Sequence, residues 1–426
     1  MSRLSQLAET LTGSEIVKLG NEIKARLNRG EKIYNYTIGD FNPQVFPIPD
    51  ALKAGIIEAY KENYTNYPPA DGLPELRRAV AHFIKTENGP EYADNEVLIA
   101  AGGRPLIYAL FRTVVDAGDK VIYAVPSWNN NHYTHINGGV ACEIEALPEN
   151  NFMPTSADIA PHLKGAALLC LCTPQNPTGT AIDKEELERI CDLVLAENNS
   201  RKADEKKLYL MFDQMYFTLV YGDTKHENPV SLRPEMKEYT VFIDGISKAF
   251  AGTGVRVGWS LGPAEVLAKM KALLSHIGAW APMAEQKATA GFLLKTDIIH
   301  SYLAGFKASL EQRLWHIYNG FMTLKAKGYP VDAIAPQAAI YLTIKFDLVG
   351  RKAGSKKLEK QSDVTQYLLD EAKLAIVPFN CFGASHESPW YRMSIGTCTI
   401  DEIDEMFGVL KTALAKLQEK GVEVLG

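Results

Sequence analysis

Between Glu96 and Gly245, short apolar runs alternate with intervals of helical length, and nothing else in the chain constrains the fold as much. The runs are EVLIAA, KVIYAV, ACEIEAL, ALLCLC, LYLMFD and VFIDG; helical patterns fill 104–115, 129–137 and 183–200. A continuous apolar run is satisfied as a strand only if both of its faces are covered. Strands joined through helices run mostly parallel, because a parallel pair needs a long crossover. The expectation is therefore α/β, with a mostly parallel central sheet and helices on both faces. Ligands of such sheets sit beyond the carboxyl ends of the strands, and Gly102, Asn176, Asp213 and Gly245 all fall there.

The flanks have another character. Ile16, Val17, Leu19, Ile23 and Leu27 recur at helical spacing, so an amphipathic helix opens the chain. Lys32 to Ile38 reads as a strand, Gly39 to Pro49 as a Gly/Pro-punctuated loop, and helices start near Asp50 and Pro74. After Met283 come long helices, a strand at Ile340–Lys345, a helix after Asp363, strands near Ile376 and Met393, and a last helix opened by a Thr399/Glu402 capping box. RKAGSKKLEK from Arg351 reads as a solvated basic loop. At 426 residues the chain exceeds what one core usually supports, so two domains are expected.

A formal net charge of −6 offers no general attraction to nucleic acid or anionic lipid, which leaves small molecules as the simpler partners. Six scattered cysteines, with Cys170 and Cys172 read as buried core thiols, fit a reducing compartment and supply no zinc-type spacing. The first 30 residues contain no apolar signal core, and no stretch reaches the ~18 to 20 apolar residues of a membrane span. A cytoplasmic protein is expected, without a membrane or nucleic-acid role and without a metal.

Reactive residues cluster in ISKAFAGTGVRVGWSL, from Ile246. Lys248 can attack a carbonyl if its pKa is lowered, and Arg256, eight positions on in a Gly-rich turn, can hold a phosphate-bearing aldehyde over that amine. Asp213 ends the apolar run LYLMF, and Tyr216 stands three residues later. AAGGRPLIYALF places Gly102 and Gly103 before a helix whose first N–H groups suit a phosphate. GTGVRVG, 252–258, is not a dinucleotide fingerprint, since it does not open a helix after the first strand of a βαβ unit.

Taken in order, TPQNPTG, LMFDQMYF and ISKAFAGTGVRVG resemble the fold-type I, aspartate-aminotransferase-like family of pyridoxal-phosphate (PLP) enzymes, class I/II, across roughly 30–420. The resemblance implies the PLP-dependent transferase fold type I. It divides the chain into an N-terminal segment 1–49 that joins the small domain, a large PLP-binding domain 50–305 and a small C-terminal α+β domain 306–426. It implies a Schiff base on Lys248, with Asp213 on the ring nitrogen, Asn176 and Tyr216 on the phenolic oxygen and Trp128 against the ring. Gly103, Arg104, Ser247 and Arg256 would hold the phosphate, with Tyr67 reaching across a homodimer to the neighbouring subunit's phosphate. Gly39, Asn176 and Arg392, in WYRMSIG, would hold the substrate carboxylate. Two departures stand out. Pro105 lacks the N–H usual at its position, and Gly245 replaces the hydroxyl residue found in many relatives.

The implied activity is a ping-pong transfer of an amino group from an L-amino acid to a 2-oxo acid, through a Lys248 aldimine. Two alternatives stay open on the sequence: a PLP-dependent lyase (C–S lyase or aminocyclopropane-carboxylate-synthase-like) and a non-catalytic PLP-binding module. Phe41 and Trp280 point to an aromatic-tolerant pocket in which aspartate is not the only good donor, and the NCFGASHESPW loop from Asn380 is a candidate cover for the site.

Overall fold

The computed structural model describes residues 4–11, 13 and 15–418; the ends of the expected outer segments, 1–3 and 419–426, lie outside the described residues. All six apolar runs form strands: β1 Val97–Ala100, β2 Lys120–Val125, β3 Val140–Glu145, β4 Ala166–Cys172, β5 Tyr209–Asp213 and β6 Thr240–Gly245. A seventh, β7 Gly258–Leu261, completes a sheet of order β1-β7-β6-β5-β4-β2-β3. Pairing is parallel from β6 through β5, β4 and β2 to β3, while β7 runs antiparallel to both β1 and β6.

Side-chain alternation sorts the strands onto two cores. Leu98, Val121 and Met211 face a cluster with Leu106, Leu110, Phe111 and Met270. Ile99, Ile122 and Phe212 face the other, with Phe83, Leu187 and Trp259. Period-2 geometry requires this split, and each fully buried Leu, Ile or Phe contributes about 1.5–3 kcal/mol. At the sheet edge, β3 buries only Ile144, which explains its charged Glu143 and Glu145. The expected helical intervals are present as Gly103–Val114, Asn130–Ile136 and Lys184–Ser200.

A second, antiparallel sheet has the order β10-β11-β9-β8, from β8 Val331–Ala333, β9 Tyr341–Phe346, β10 Val377–Pro378 and β11 Trp390–Ser394. Arg392 lies in the middle of β11, opposite Thr343 on one side and Val377 on the other. The last helix, Ile400–Ala415, starts at the expected box: Glu402 N–H donates to Thr399 Oγ1 (3.3 Å) and Thr399 N–H to Glu402 Oε2 (2.8 Å).

Three local readings need correction. The strand expected over Lys32–Ile38 shrinks to Tyr34–Asn35, paired in parallel with Leu374–Ala375. Thr37 N–H and Oγ1 both donate to Asn35 Oδ1 (3.1 and 2.7 Å), a local turn that competes with the ladder. The basic loop from Arg351 instead forms a hairpin, Lys352–Ala353 with Lys356–Lys357, around the two-residue turn Gly354–Ser355; Leu417–Gln418 pairs with its first strand. In the opening helix, Glu15–Asn28, Ile23 is buried against Leu369 and Ala375, while Val17 and Leu27 stay 60% and 45% exposed.

Candidate active site

A cavity of about 460 Å³ opens at the carboxyl ends of β4, β5 and β6. Lys248 lines it from the short helix Ile246–Ala249 that follows β6 directly. Its Nζ donates to the Gly39 carbonyl (2.5 Å) and lies 5.7 Å from the Phe41 ring centroid. Burial is the main force on this amine and, with Arg392, Arg104 and Arg256 nearby, lowers its pKa to about 8 against the opposing pull of Asp40.

Asp213 ends β5, and its carboxylate enters the same cavity. Burial pushes its pKa up to about 6, partly offset by the Met215 N–H, which donates to Oδ1 (3.0 Å). Tyr216 is buried beside it, and its hydroxyl shares a 2.7 Å hydrogen bond with the Tyr341 hydroxyl from β9. Tyr341 was absent from the sequence reading, although it stands on an expected strand. No local pattern separates this ring from a core tyrosine.

The turn from β1 into the helix Gly103–Val114 forms a cradle. Gly102 has φ 91°, and a Cβ there would lie 2.2 Å from Arg256 Nη2, so only glycine lets the guanidinium approach. Arg256 donates from Nη1 to the Thr253 carbonyl (2.6 Å) and from Nη2 to the Ala101 carbonyl (2.9 Å). Gly103, Arg104 and Ser247 line the cavity here. Pro105 is the third residue of the helix, so the free N–H groups are those of Gly103 and Arg104. The Arg104 guanidinium lies 5.2 Å from the Trp128 ring centroid, and Trp128 lines the cavity beside it.

The second departure has a packing reason. A Cβ on Gly245 would lie 2.8 Å from both Gly258 Cα and the Val257 carbonyl oxygen, because β6 and β7 approach each other closely at this point. A serine has no room there. The Gly-rich turn expected around Arg256 is present at 253–255, with Arg256 itself at φ 59°, and it leads directly into β7, where Gly258 marks the close backbone approach.

Arg392 reaches the cavity from the second sheet, 3% exposed. Nη1 donates to Asn176 Oδ1 (3.0 Å) and Nη2 to the Thr37 carbonyl (2.7 Å), while Nε is buried without a partner. Its guanidinium lies 4.7 Å from the Tyr341 ring and 4.9 Å from the Phe382 ring, and burial lowers its pKa. Gly39 and Asn176 line the same cavity, so the three residues expected at a carboxylate stand together.

Other residues named from the sequence stand inside or outside this cavity according to their positions. Tyr67, expected to serve the neighbouring subunit, is outside it, 82% exposed, and packs edge-on against Trp280 (5.2 Å). Phe41 belongs to a core cluster with Phe46 and Phe306 and does not line the cavity, and neither does Trp280. Cys172, read as a core thiol, lines the cavity from the end of β4. Asp40 and Thr253, unnoticed in the sequence, line it too and are joined by Thr253 Oγ1 donating to Asp40 Oδ1 (2.6 Å). Phe382 is the part of the NCFGASHESPW loop that approaches the site, 6.2 Å from Trp128. A larger groove of about 1030 Å³, between the opening helix and this loop, contains none of the site residues, so size alone does not locate the chemistry.

The residues suit pyridoxal phosphate: an amine with a lowered pKa, one deep carboxylate, a glycine cradle that a Cβ would fill, and a buried guanidinium with an unused donor. Known proteins agree. The chain is 29% identical over 387 residues to an aspartate aminotransferase of Bacillus sp. (strain YM-2), covering 89% of this chain and 92% of that protein. It is 30% identical over 359 residues to a probable aspartate/prephenate aminotransferase of Rhizobium leguminosarum bv. phaseoli, covering 83% and 84%. Among solved structures, the Thermus thermophilus aspartate aminotransferase with maleate superposes with TM-score 0.86 at 25% identity, over 97% of this chain and 100% of that one. The Rhizobium meliloti enzyme superposes with TM-score 0.88 at 24% identity, over 98% and 100%, which speaks for the fold. With the family model matching residues 32–410, the chain belongs to the aminotransferase class I and II family.

Proposed function

We propose that this pyridoxal-phosphate-dependent aminotransferase performs both half-reactions, amino acid to 2-oxo acid and back, in the cavity around Lys248. When bound, PLP supplies a carbonyl that takes up the substrate nitrogen and a ring that draws electrons from the bond to the α-hydrogen. One observation carries the assignment of roles. Three guanidinium groups, Arg104, Arg256 and Arg392, share a single cavity with the Lys248 amine, which matches one phosphate and one α-carboxylate.

Arg256, Ser247 and the N–H groups of Gly103 and Arg104 would hold the phosphate, with the Arg104 side chain as a further cation in the same cavity. Asp213 would pair with a protonated ring nitrogen, a partner that would offset the cost of its buried charge. The Tyr216 hydroxyl, steadied by Tyr341, and the Asn176 amide would hold the phenolic oxygen. Trp128, in the cavity wall, would supply stacking area for the ring. Arg392 takes the substrate carboxylate, helped by Asn176 and the Gly39 backbone. Lys248 Nζ, half neutral near pH 8, would be the base beside the substrate's α-proton.

Aspartate is proposed as a donor because relatives named for it span most of the chain. Phe41 and Trp280 stand outside the cavity lining, whereas Trp128, Tyr216 and Tyr341 belong to it. A homodimer with shared sites is supported by the exposed aromatic Tyr67 and by Ile57 and Tyr60, each 50% exposed, on the preceding helix. The proposed domain division is 50–305 around the large sheet, with 1–49 and 306–426 forming the small domain. Six free thiols suit the cytoplasm, and among the described residues no helix is long and apolar enough to cross a membrane. The test is a donor panel on the cofactor-loaded protein, followed by absorbance. Conversion of the aldehyde form by aspartate supports the reading; conversion only by other amino acids overturns the donor assignment, and conversion by none overturns the activity in this cavity.

A further inference from the structure

Tyr341 opens β9 and belongs to no motif, yet it joins the second sheet to two functional side chains at once. Across β9 and β11, Tyr341 stands opposite Ser394 and Thr343 opposite Arg392. Side chains two residues apart share a face, so Tyr341 and Arg392 are diagonal neighbours, with the guanidinium 4.7 Å from the ring centroid. The same ring meets Tyr216 edge-on, at 5.5 Å between centroids, and the two hydroxyls share the 2.7 Å hydrogen bond. Gly39 leaves room for the Tyr341 hydroxyl, since a Cβ there would lie 2.8 Å from that oxygen.

Both tyrosines are buried, 1% and 3% exposed, so neither hydroxyl has bulk water as an alternative partner. Burial raises the pKa of both, with Arg392 opposing it, and both remain protonated near neutral pH. By themselves the two oxygens leave the direction of their hydrogen bond open, as either can be the donor. A tyrosine hydroxyl has one proton to give. If Tyr216 gives its proton to the cofactor's phenolic oxygen, an acceptor when ionised, it has none left for Tyr341. Tyr341 must then donate to Tyr216, and a hydroxyl that accepts a hydrogen bond is itself the stronger donor.

We propose that Tyr341 is a positioning residue whose hydroxyl, by donating to Tyr216, directs the Tyr216 proton onto the cofactor's phenolic oxygen and so sets the proton affinity of the lysine-bound cofactor. This role rests on the aminotransferase reading. A hydrogen bond donated to the negative oxygen disperses its charge and weakens the attraction for a proton on the neighbouring Lys248 nitrogen. Without the Tyr341 hydroxyl, that nitrogen keeps its proton to higher pH. The charged and titratable groups that face the tyrosine pair are Arg392, Cys172 and Asp40, and those that face Lys248 are Asp40, Arg392, Arg104 and Arg256. Tyr341→Phe alters none of them, because it removes one oxygen and keeps the ring beside Arg392.

The experiment is a pH titration of visible absorbance on the cofactor-loaded wild type, Tyr341→Phe, Tyr216→Phe and the double variant, with melting temperatures and pH profiles of kcat/KM alongside. Expected is an upward shift of the spectral midpoint by about half a pH unit in Tyr341→Phe, a larger one in Tyr216→Phe, and no further shift in the double variant. The acid limb of kcat/KM should move with the midpoint, while the amino-acid KM at the pH optimum stays at the wild-type value. A merely structural tyrosine would lower the melting temperature and leave the midpoint in place. An unshifted midpoint, a downward shift, or an equal extra shift on the Tyr216→Phe background overturns the proposal. Should Tyr341→Phe fold poorly, Gly39→Ala decides: its methyl crowds the same hydroxyl, and an unshifted midpoint there is equally fatal. If the wild type takes up no cofactor on Lys248, the aminotransferase reading falls and this role with it. A wild type and a Tyr341→Phe that titrate identically leave that reading standing and remove only the role of Tyr341.

Discussion

Lys248 and Asp213 are both moved toward neutrality by burial, and each shift has a measurable sign. A lysine with pKa about 8 is neutral above pH 8, so cofactor capture by the apoprotein should rise about ten-fold per pH unit below 8 and level off above it. A capture rate still climbing at pH 10 would show an ordinary lysine. Lys248→Ala should keep the fold and abolish turnover. For Asp213 the folded pKa of about 6 lies above the ordinary 3.8, so its contribution to stability is lost as pH rises between those values. Asp213→Asn should therefore stabilise the apoprotein at pH 7.5, by at most about 3 kcal/mol, while weakening cofactor retention. A lower apoprotein melting temperature in that variant would contradict the burial argument. Arg392→Lys loses the two-pronged grip made possible by Asn176 and Thr37 and should raise the amino-acid KM by roughly thirty-fold, about 2 kcal/mol, with little change in cofactor retention.

At the scale of elements, the β6–β7 pairing explains a residue choice that the family resemblance made puzzling. Gly245 is excluded from carrying a side chain by the backbone of Val257 and Gly258. Gly245→Ser should therefore cost about 1–3 kcal/mol of stability by overpacking and show as a lower melting temperature, whereas Ser247→Ala should leave melting unchanged and weaken phosphate retention. Equal melting temperatures for the two would sink this account. The strands themselves were legible: each apolar run became one, because burial on both faces demands uniform apolarity. β7 was not legible, since four residues flanked by glycine resemble a turn until their partners are known. Lys32–Ile38 failed for the opposite reason, as Asn35 captures Thr37 locally and ends a strand whose composition promised more.

On the scale of the whole molecule, the two sheets meet at the cavity. The carboxyl ends of the large sheet's strands and the segments that follow them supply Asp213, Lys248 and Arg256, and the second sheet supplies Arg392 and Tyr341. Tyr67 belongs to neither, and its exposure makes it the residue by which assembly can be tested. Mixing inactive Lys248→Ala chains with Tyr67→Ala chains should generate mixed dimers in which one site holds both substitutions and the other neither. Activity above the sum of the two pure variants is expected; strict additivity would mean that no site is shared.

By itself, the sequence determined the fold class and singled out Lys248, Asp213 and Arg392 as candidates, because strand periodicity and reactive residue types are local properties. Only the tertiary structure decided how they cooperate. Arg392 meets Asn176 across 216 residues and Tyr216 meets Tyr341 across 125, contacts that no local pattern encodes. The amine's lowered pKa, the fit of Gly102 against Arg256 and the exclusion of a side chain at Gly245 likewise arise from burial and close approach. Those quantities exist only once distant segments share one space.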